Sequence, residues 1–294
     1  GSEMCIRDRY YYEGYCEGGE SYDIVGCPNP LYVKDGVALC VTGMGKVNSA
    51  MTLQAILMDD RFDFSNAYII STGCAGSAVE YGVMGDVFVI TATVDFDLGH
   101  HADARDLTTD LATTWFHDES YDDASAKLLN QELCEKVFNL VKDVQIETTE
   151  KTRAFMAATF DNADWAIRDP KVLRGTTVTG DNYWKGMHDH ANALLMTETY
   201  GCPDPYALTE MEDHAMSVVL DRLGMLDRYI IIRDSVNTDV FMNGASPESL
   251  WDPNFVDSLA SESSVESADI FATAMKNNFT VGHVVIDAIL NGEL

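Results

Sequence analysis

Glu210 and Glu212 flank Met211 at the end of an apolar run, Pro205-Tyr206-Ala207-Leu208, that should hand over to a helix. Alternate residues of an extended strand point the same way, so the two carboxylates are expected to enter one crevice. Charged groups at the carboxyl end of a buried strand are where an open α/β sheet builds a binding site. Acids also favour the first turn of a helix. Capping accounts for Glu212 or Asp213, but it needs neither both acids nor the methionine between them.

A second polar set, Arg233-Asp234-Ser235-Val236-Asn237-Thr238-Asp239, ends the most apolar strand of the chain and should emerge at the same edge as Glu212. The Asn237 amide can both donate to and accept from a purine's Hoogsteen edge, and Asp239 would supply a proton if its pKa were raised. An Asx-type turn is the plainer alternative. Tyr183 and Trp184 follow another strand end; because adjacent side chains of an extended segment point apart, only one of them is expected to stack on a flat heterocycle.

Two small-residue turns complete the set. Gly43-Met44-Gly45 before Lys46 has the form of an anion-binding helix N-terminus but lacks the GxGxxG and P-loop patterns, and tight packing explains its glycines as well. Thr72-Gly73-Cys74-Ala75-Gly76-Ser77 offers backbone amides without bulk, with Cys74, Ala75 and Gly76 available to a sugar or anion. No His or Lys lies near Cys74 in sequence, so small-residue packing outweighs a nucleophilic thiol. His100 and His101 fall in a polar segment from Asp95 to about Asp123 that reads as a loop over a site.

These groups need elements to hold them. Strands are predicted over 36–42, 67–71, 85–94, 172–179 and 229–233, and helices from Lys46 to about Met58, Ser125 to Val141, Asp213 to Leu223 and about Val265 to Leu290. The alternation predicts an α/β fold around a mixed, mostly parallel sheet. With 294 residues, 46% hydrophobic, the chain suffices for a single domain, taken as 10–294. Gly1-Ser2 reads as a cloning scar, and residues 1–9 as adaptor-derived or disordered sequence. The native N-terminus, with a first strand and any signal peptide, is then missing.

No stretch approaches ~18 consecutive apolar residues, which argues for a soluble protein without membrane insertion and against channel formation by this polypeptide alone. Forty-eight acids against 19 basic residues give a formal charge of −29, which repels nucleic-acid phosphates and anionic membranes. The seven cysteines form no CxxC pair and no Cys/His spacing, so no metal site is expected. Free thiols suit a reducing compartment, slightly favouring a cytoplasmic location over export, although Cys5, Cys16 and Cys27 could hold one local disulfide.

Val41-Thr42-Gly43-Met44-Gly45-Lys46-Val47-Asn48, Ser71 through Gly76, the Asp97-to-Arg105 segment, Thr179-Gly180-Asp181, Thr209 through Glu212 and Arg233 through Asn237, in this order, resemble the nucleoside phosphorylase and nucleosidase superfamily, and within it the purine nucleoside permeases. The resemblance spans about Leu31 to the C-terminus. It implies a three-layer α/β/α fold and a small-molecule nucleoside as partner, bound by a homo-oligomer. Glu212 would grip the ribose hydroxyls over Met211, Tyr183 or Trp184 would stack on the base, and Asn237 would address purine N7. Met44, Cys74, Ala75, Gly76 and His101 join the implied substrate-binding set, with Asn237 and Asp239 as the catalytic pair. No cofactor is implied beyond inorganic phosphate as a co-substrate. Phosphorylases of the superfamily commonly place Arg where Ser71 stands, which favours water as the nucleophile. Nucleosidases use an N-terminal Glu to activate that water, and Glu13, Glu17 and Glu20 are the nearby candidates. A non-catalytic nucleoside-binding component of uptake is the alternative from another class.

Overall fold

A computed structural model of the chain describes residues 6–108, 113–241 and 265–294. In chain order the strands are β1 (Glu20–Tyr22), β2 (Leu31–Lys34), β3 (Val37–Leu39), β4 (Ile69–Ser77), β5 (Val87–Asp95), β6 (His100–His101), β7 (Trp115–Phe116), β8 (Ala126–Leu128), β9 (Val172–Thr179), β10 (Tyr206–Glu210) and β11 (Tyr229–Thr238). The helices are α1 (Ile6–Tyr11), α2 (Lys46–Leu57), α3 (Asp122–Ser125), α4 (Gln131–Val141), α5 (Glu150–Thr159), α6 (Met187–Thr199), α7 (Asp213–Arg222) and α8 (Val265–Leu290).

The period-2 rule explains the layering. In β5, Phe88 and Ile90 face one cluster with Ile231, Leu53 of α2 and Leu220 of α7. Val87 and Val89 face the opposite cluster with Ile230 and Ile232, Val137 of α4 and Val281 of α8. Helices therefore cover both faces of one sheet, the expected α/β/α arrangement.

The sheet is mixed, in the order β11-β4-β10-β9-β5-β8. Three of its pairings are parallel and three antiparallel, more antiparallel than the alternation of elements suggested. One of the antiparallel pairings, β11 with β5, closes five of the strands into a ring. Bulges on β9–β10, β5–β9 and β4–β11 supply the curvature that closure demands.

Three predicted elements change character. The strand at 36–42 is short and belongs to a separate antiparallel sheet, β1-β2-β3, not to the main one. The supposed turn Thr72–Ser77 is strand, paired with β11 along its whole length. The helix predicted from Ser125 starts only at Gln131, capped by Asn130, because residues 126–128 pair with β5.

Residues 6–9 are not loose: they open α1, which packs on α8, and Asp8 is buried. Tyr11 donates to the Asn278 side chain at 2.9 Å. Residues 1–5, Cys5 among them, lie outside the described residues, while Cys16 and Cys27 are free thiols. No described helix is long and apolar enough to cross a membrane.

Candidate functional site

A cavity of about 880 Å³ opens where the carboxyl ends of β4, β10 and β11 converge. Cys74, Ala75 and Gly76 line it from β4, Glu210 from β10, and Val236 through Asp239 from β11 and its end. Met211, Glu212, Met44, Tyr183 and Trp184 complete this part of the wall. Residues 36–44 and 67–76 also line it. Both stretches line it consecutively rather than alternately, so it borders strand edges rather than faces.

Arg233 organises the acidic block. Its Nε donates to Asp213 Oδ2 at 2.8 Å, and its Nη2 donates to Asp213 Oδ1 at 2.6 Å, Glu212 Oε2 at 3.2 Å and Glu210 Oε2 at 3.3 Å. A buried guanidinium needs such partners, since an uncompensated charge in the interior is prohibitively costly. Gly73 makes the room: a Cβ there would sit 1.9 Å from Arg233 Nη1. The glycine pattern of β4 thus reflects a close side-chain approach, not a turn.

Glu210 takes the capping role first considered for Glu212. Its Oε2 accepts from the backbone N–H of Glu212 at 2.5 Å and of Asp213 at 2.8 Å, closing the start of α7. Its Oε1 accepts from the Thr177 and Thr179 hydroxyls. Burial, with the Asp213 charge beside it, pushes the Glu210 carboxyl up to about 7 against the pull of Arg233.

Glu212 makes no capping bond with its side chain and reaches across to the turn before α2 instead. There the Gly45 N–H donates to Glu212 Oε1 at 3.0 Å, and the Lys46 N–H donates to Asp181 Oδ1 at 2.8 Å. The Lys46 ammonium is held by Asp95 at 2.9 Å and Asp97 at 2.8 Å. The turn is anion-binding in form, but the anions on it are the protein's own carboxylates.

Asn237 owes its direction to the β4–β11 bulge, where Ser235 pairs with Ala75 and Asn237 with Gly76, leaving Val236 as the extra residue. Its amide donates to the Tyr183 hydroxyl at 3.1 Å. Gly76 leaves space for it, since a Cβ there would lie 2.7 Å from Asn237 Oδ1. The adjacent aromatics diverge: Tyr183 is 62% exposed at the cavity, while Trp184 is buried and stacks on Phe96 at 4.9 Å.

Asp239 is wholly buried, and its carboxylate is surrounded by donors. Oδ1 accepts from Val79 N–H at 3.1 Å, and Oδ2 meets the Tyr206 hydroxyl at 2.8 Å and His190 Nδ1 at 2.7 Å. An acid so used is an acceptor that ties the ends of β11 and β4 to β10 and α6. His101 does not line the cavity: it is exposed on β6, opposite Trp115, with its ring against Phe96. Glu13, Glu17 and Glu20 are also exposed and off the cavity, whereas Asp8 lines it.

Sequence reasoning missed Arg233 as organiser, Asp213 as its bidentate partner, and the His190–Tyr206 clamp. One signal was present: an Arg inside the most apolar strand must meet acids, and Glu210 to Asp213 is an acidic block ending another strand of the same sheet. Nothing in sequence spacing points to His190.

The closed mixed sheet between helical layers is a fold shared with solved nucleosidase structures. The 5′-methylthioadenosine/S-adenosylhomocysteine nucleosidase of Neisseria meningitidis, solved with methylthio-immucillin-A, matches with a TM-score of 0.59 and 16% identity over 97% of this chain and 96% of its own. The futalosine hydrolase of Helicobacter pylori strain 26695 matches with a TM-score of 0.58 and 15% identity, over 97% of this chain and 94% of its own. Identities this low speak for the fold alone.

The purine nucleoside permease family model matches residues 17–293, and the chain belongs to that family. A Schizosaccharomyces pombe protein described as a probable purine nucleoside permease is 28% identical over 224 residues, 67% of this chain and 63% of that protein. The aligned part thus spans less than two thirds of that relative's length.

Proposed function

We propose that this protein cleaves the N-glycosidic bond of a purine nucleoside by hydrolysis. Glu212 accepts from the ribose hydroxyls, a task suited to a carboxylate facing a vicinal diol, and Met211 packs beneath the sugar. Tyr183 stacks on the base. Asn237 donates to purine N7 as negative charge gathers on the departing base, which stabilises the leaving group without transferring a proton to it. The bond breaks toward an oxocarbenium-like sugar; water then adds its hydroxyl to the sugar carbon and its proton ends on the base.

The observation that carries hydrolysis over phosphorolysis is electrostatic. Arg233 is the only Lys, Arg or His among the described residues lining the cavity, and three carboxylates already hold it. Ser71, at the position where phosphorylases commonly carry Arg, donates to Asp213 Oδ1 at 2.7 Å. A phosphate dianion entering this cavity would meet more negative charge than positive. Water carries no such penalty.

A second reading, a nucleoside-binding component of uptake without chemistry, draws support from the position of Glu13, Glu17 and Glu20, all away from the cavity. Incubation of inosine and of adenosine with the protein, with and without phosphate, separates the readings by reversed-phase chromatography. Hydrolysis releases free base at the same rate in both. Phosphate-dependent release overturns the electrostatic argument, and measurable nucleoside affinity with no base released establishes the binding component instead.

A further inference from the structure

Basic residues are scarce in this chain, 19 against 48 acids, and ion pairs take up many of the described ones, Lys46, Arg168 and Arg233 among them. Lys142 and Lys171 differ: neither has an ion-pair partner among the described residues. Both line one pocket of about 330 Å³, and Arg153 lines it with them. Asp169 is the one acid among the described residues in its wall. Three cations around one carboxylate invert, at this spot, the balance of the whole chain.

Each cation stands on a segment held by other bonds. Lys142 ends α4, where its amide donates to the Phe138 carbonyl at 2.8 Å and its ammonium to Asn139 Oδ1 at 2.8 Å. A cation suits a helix C-terminus, which accounts for Lys142 but not for the cations beside it. Arg153, on α5, donates from Nε to Asp169 Oδ1 at 2.7 Å, its one ion pair among the described residues. Lys171 precedes β9; its amide donates to Asp86 Oδ1 at 2.8 Å, and its carbonyl accepts from the Val87 amide at 3.2 Å. Asp86 is itself buried and gripped by Arg168. Gln145 and Thr148 add neutral donors to the wall. The acids nearest in sequence, Asp143, Glu147 and Glu150, do not line the pocket, and Glu147 pairs with Lys276 at 2.8 Å.

We propose that this pocket binds a phosphate dianion, free or as the monoester of a small molecule, between Lys142, Arg153 and Lys171. The three cations exceed the single carboxylate of the wall by two charges, which matches a dianion and leaves a monocarboxylate half compensated. A guanidinium presents a planar fork to phosphate oxygens, and the two ammonium groups act as movable point charges. A concave wall of one sign concentrates its counter-ion locally, even on a molecule whose remaining surface repels anions. The volume exceeds that of bare phosphate and leaves room for the alcohol part of an ester.

The pocket lies at the start of β9, next to Val172, while the far end of that strand carries Thr179, whose hydroxyl meets Glu210 in the cavity. Eight extended residues put the two ends about 23 Å apart. A phosphate held by Lys171 therefore cannot attack a sugar held by Glu212, and phosphate affinity is not by itself a sign of phosphorolysis.

Calorimetric titration of the intact protein with inorganic phosphate and with methyl phosphate, at low ionic strength, tests the site. Saturable binding is expected, with slower amide hydrogen exchange over residues 142–148 and 168–172, and the tighter of the two probes tells free phosphate from an ester. Lys142→Gln and Lys171→Gln should each weaken binding roughly tenfold. Lys136→Gln, on the same helix as the approach to Lys142 but outside the pocket, should leave it within about twofold. Circular dichroism of the variants shows that each is folded. Binding of neither probe overturns the proposal, as does equal weakening by Lys136→Gln, which would mean diffuse attraction. Protection over residues 71–76 and 209–212 instead would place phosphate in the nucleoside cavity and overturn both this site and the electrostatic argument for hydrolysis. None of these readouts uses nucleoside, so a failure of the proposed hydrolysis leaves the site standing.

Discussion

The Gly45 N–H donates to Glu212 Oε1 at 3.0 Å, tying the turn before α2 to the end of β10 across 167 positions of sequence. Together with Arg233 on the other oxygen, at 3.2 Å, it fixes the plane of a carboxylate that is only partly covered. That is preorganisation: the group is held before a ligand arrives, and little freedom is left to lose on binding. Glu212→Gln keeps the shape and removes the charge. It should weaken binding of a purine nucleoside by about 1.5–3 kcal/mol, the range for a hydrogen bond to a charged group. Isothermal titration calorimetry measures this, and unchanged affinity would remove Glu212 from the ribose.

Gly76→Ala tests Asn237 without touching it. The new Cβ would stand 2.7 Å from Asn237 Oδ1 and 3.4 Å from Thr209 Cγ2, so the amide has to turn away from its present direction. If Asn237 stabilises the departing base, turnover should fall by roughly tenfold or more, about 1.4 kcal/mol of barrier, with a smaller loss of affinity. Asn237→Ala should show the same split. Steady-state release of base read beside calorimetric affinity distinguishes this from equal loss of both, which would mean a ground-state contact only.

How much of this was legible in the sequence depends on whether the signal is local. The bounds 172–179 and 265–290 match the observed β9 and α8, because apolar runs and periodicity mark them without help from partners. Thr72–Ser77 was misread as a turn because its glycines answer to Arg233 and Asn237, residues about 160 positions away. α6 escaped notice because its buried face carries His190, Asn192 and Thr197 among its apolar residues, which blurs the 3.6-residue pattern. The cavity-lining residues at strand ends were recognisable by type; the charges that hold them in place were not, since ion pairing across a closed sheet has no spacing in sequence.

Glu210 should make stability depend on pH. Its carboxyl is raised from 4.5 to about 7 in the fold, so the folded state binds its proton more tightly than the unfolded chain does. The resulting stabilisation is complete below the unfolded value near 4.5 and disappears as pH rises through about 7. Glu210→Gln abolishes the titration while keeping an acceptor for the Glu212 and Asp213 amides. Urea unfolding at a series of pH values should show wild type losing stability relative to this variant between those limits. Parallel curves would show that Glu210 does not bind its proton more tightly on folding.

Arg233→Met leaves three carboxylates around an apolar side chain. Removing one partner of a buried charge cluster costs about 3–5 kcal/mol, because the charges left behind lose their compensation. Chemical denaturation should show that loss at neutral pH and a smaller one at acid pH, where the carboxylates take up protons. A loss independent of pH would mean that Arg233 acts by packing alone.

Asp239→Asn separates positioning from catalysis. The Val79 amide, the Tyr206 hydroxyl and His190 Nδ1 all converge on its carboxylate, and an asparagine presents one acceptor where the aspartate presents two. One donor would then face an amide N–H, a buried mismatch costing about 1–3 kcal/mol. The Asp239 amide bonds the Ser77 carbonyl at 3.0 Å, and its own carbonyl takes the Gly186 amide at 2.8 Å, so loosening here shifts the end of β11 that carries Asn237. The variant should therefore lose stability and turnover together, and His190→Gln, which keeps a donor near the acid, should recover much of both relative to His190→Ala. A variant of Asp239 that is fully stable yet inactive would return this residue to the chemistry, because a clamp cannot be broken without loosening what it holds.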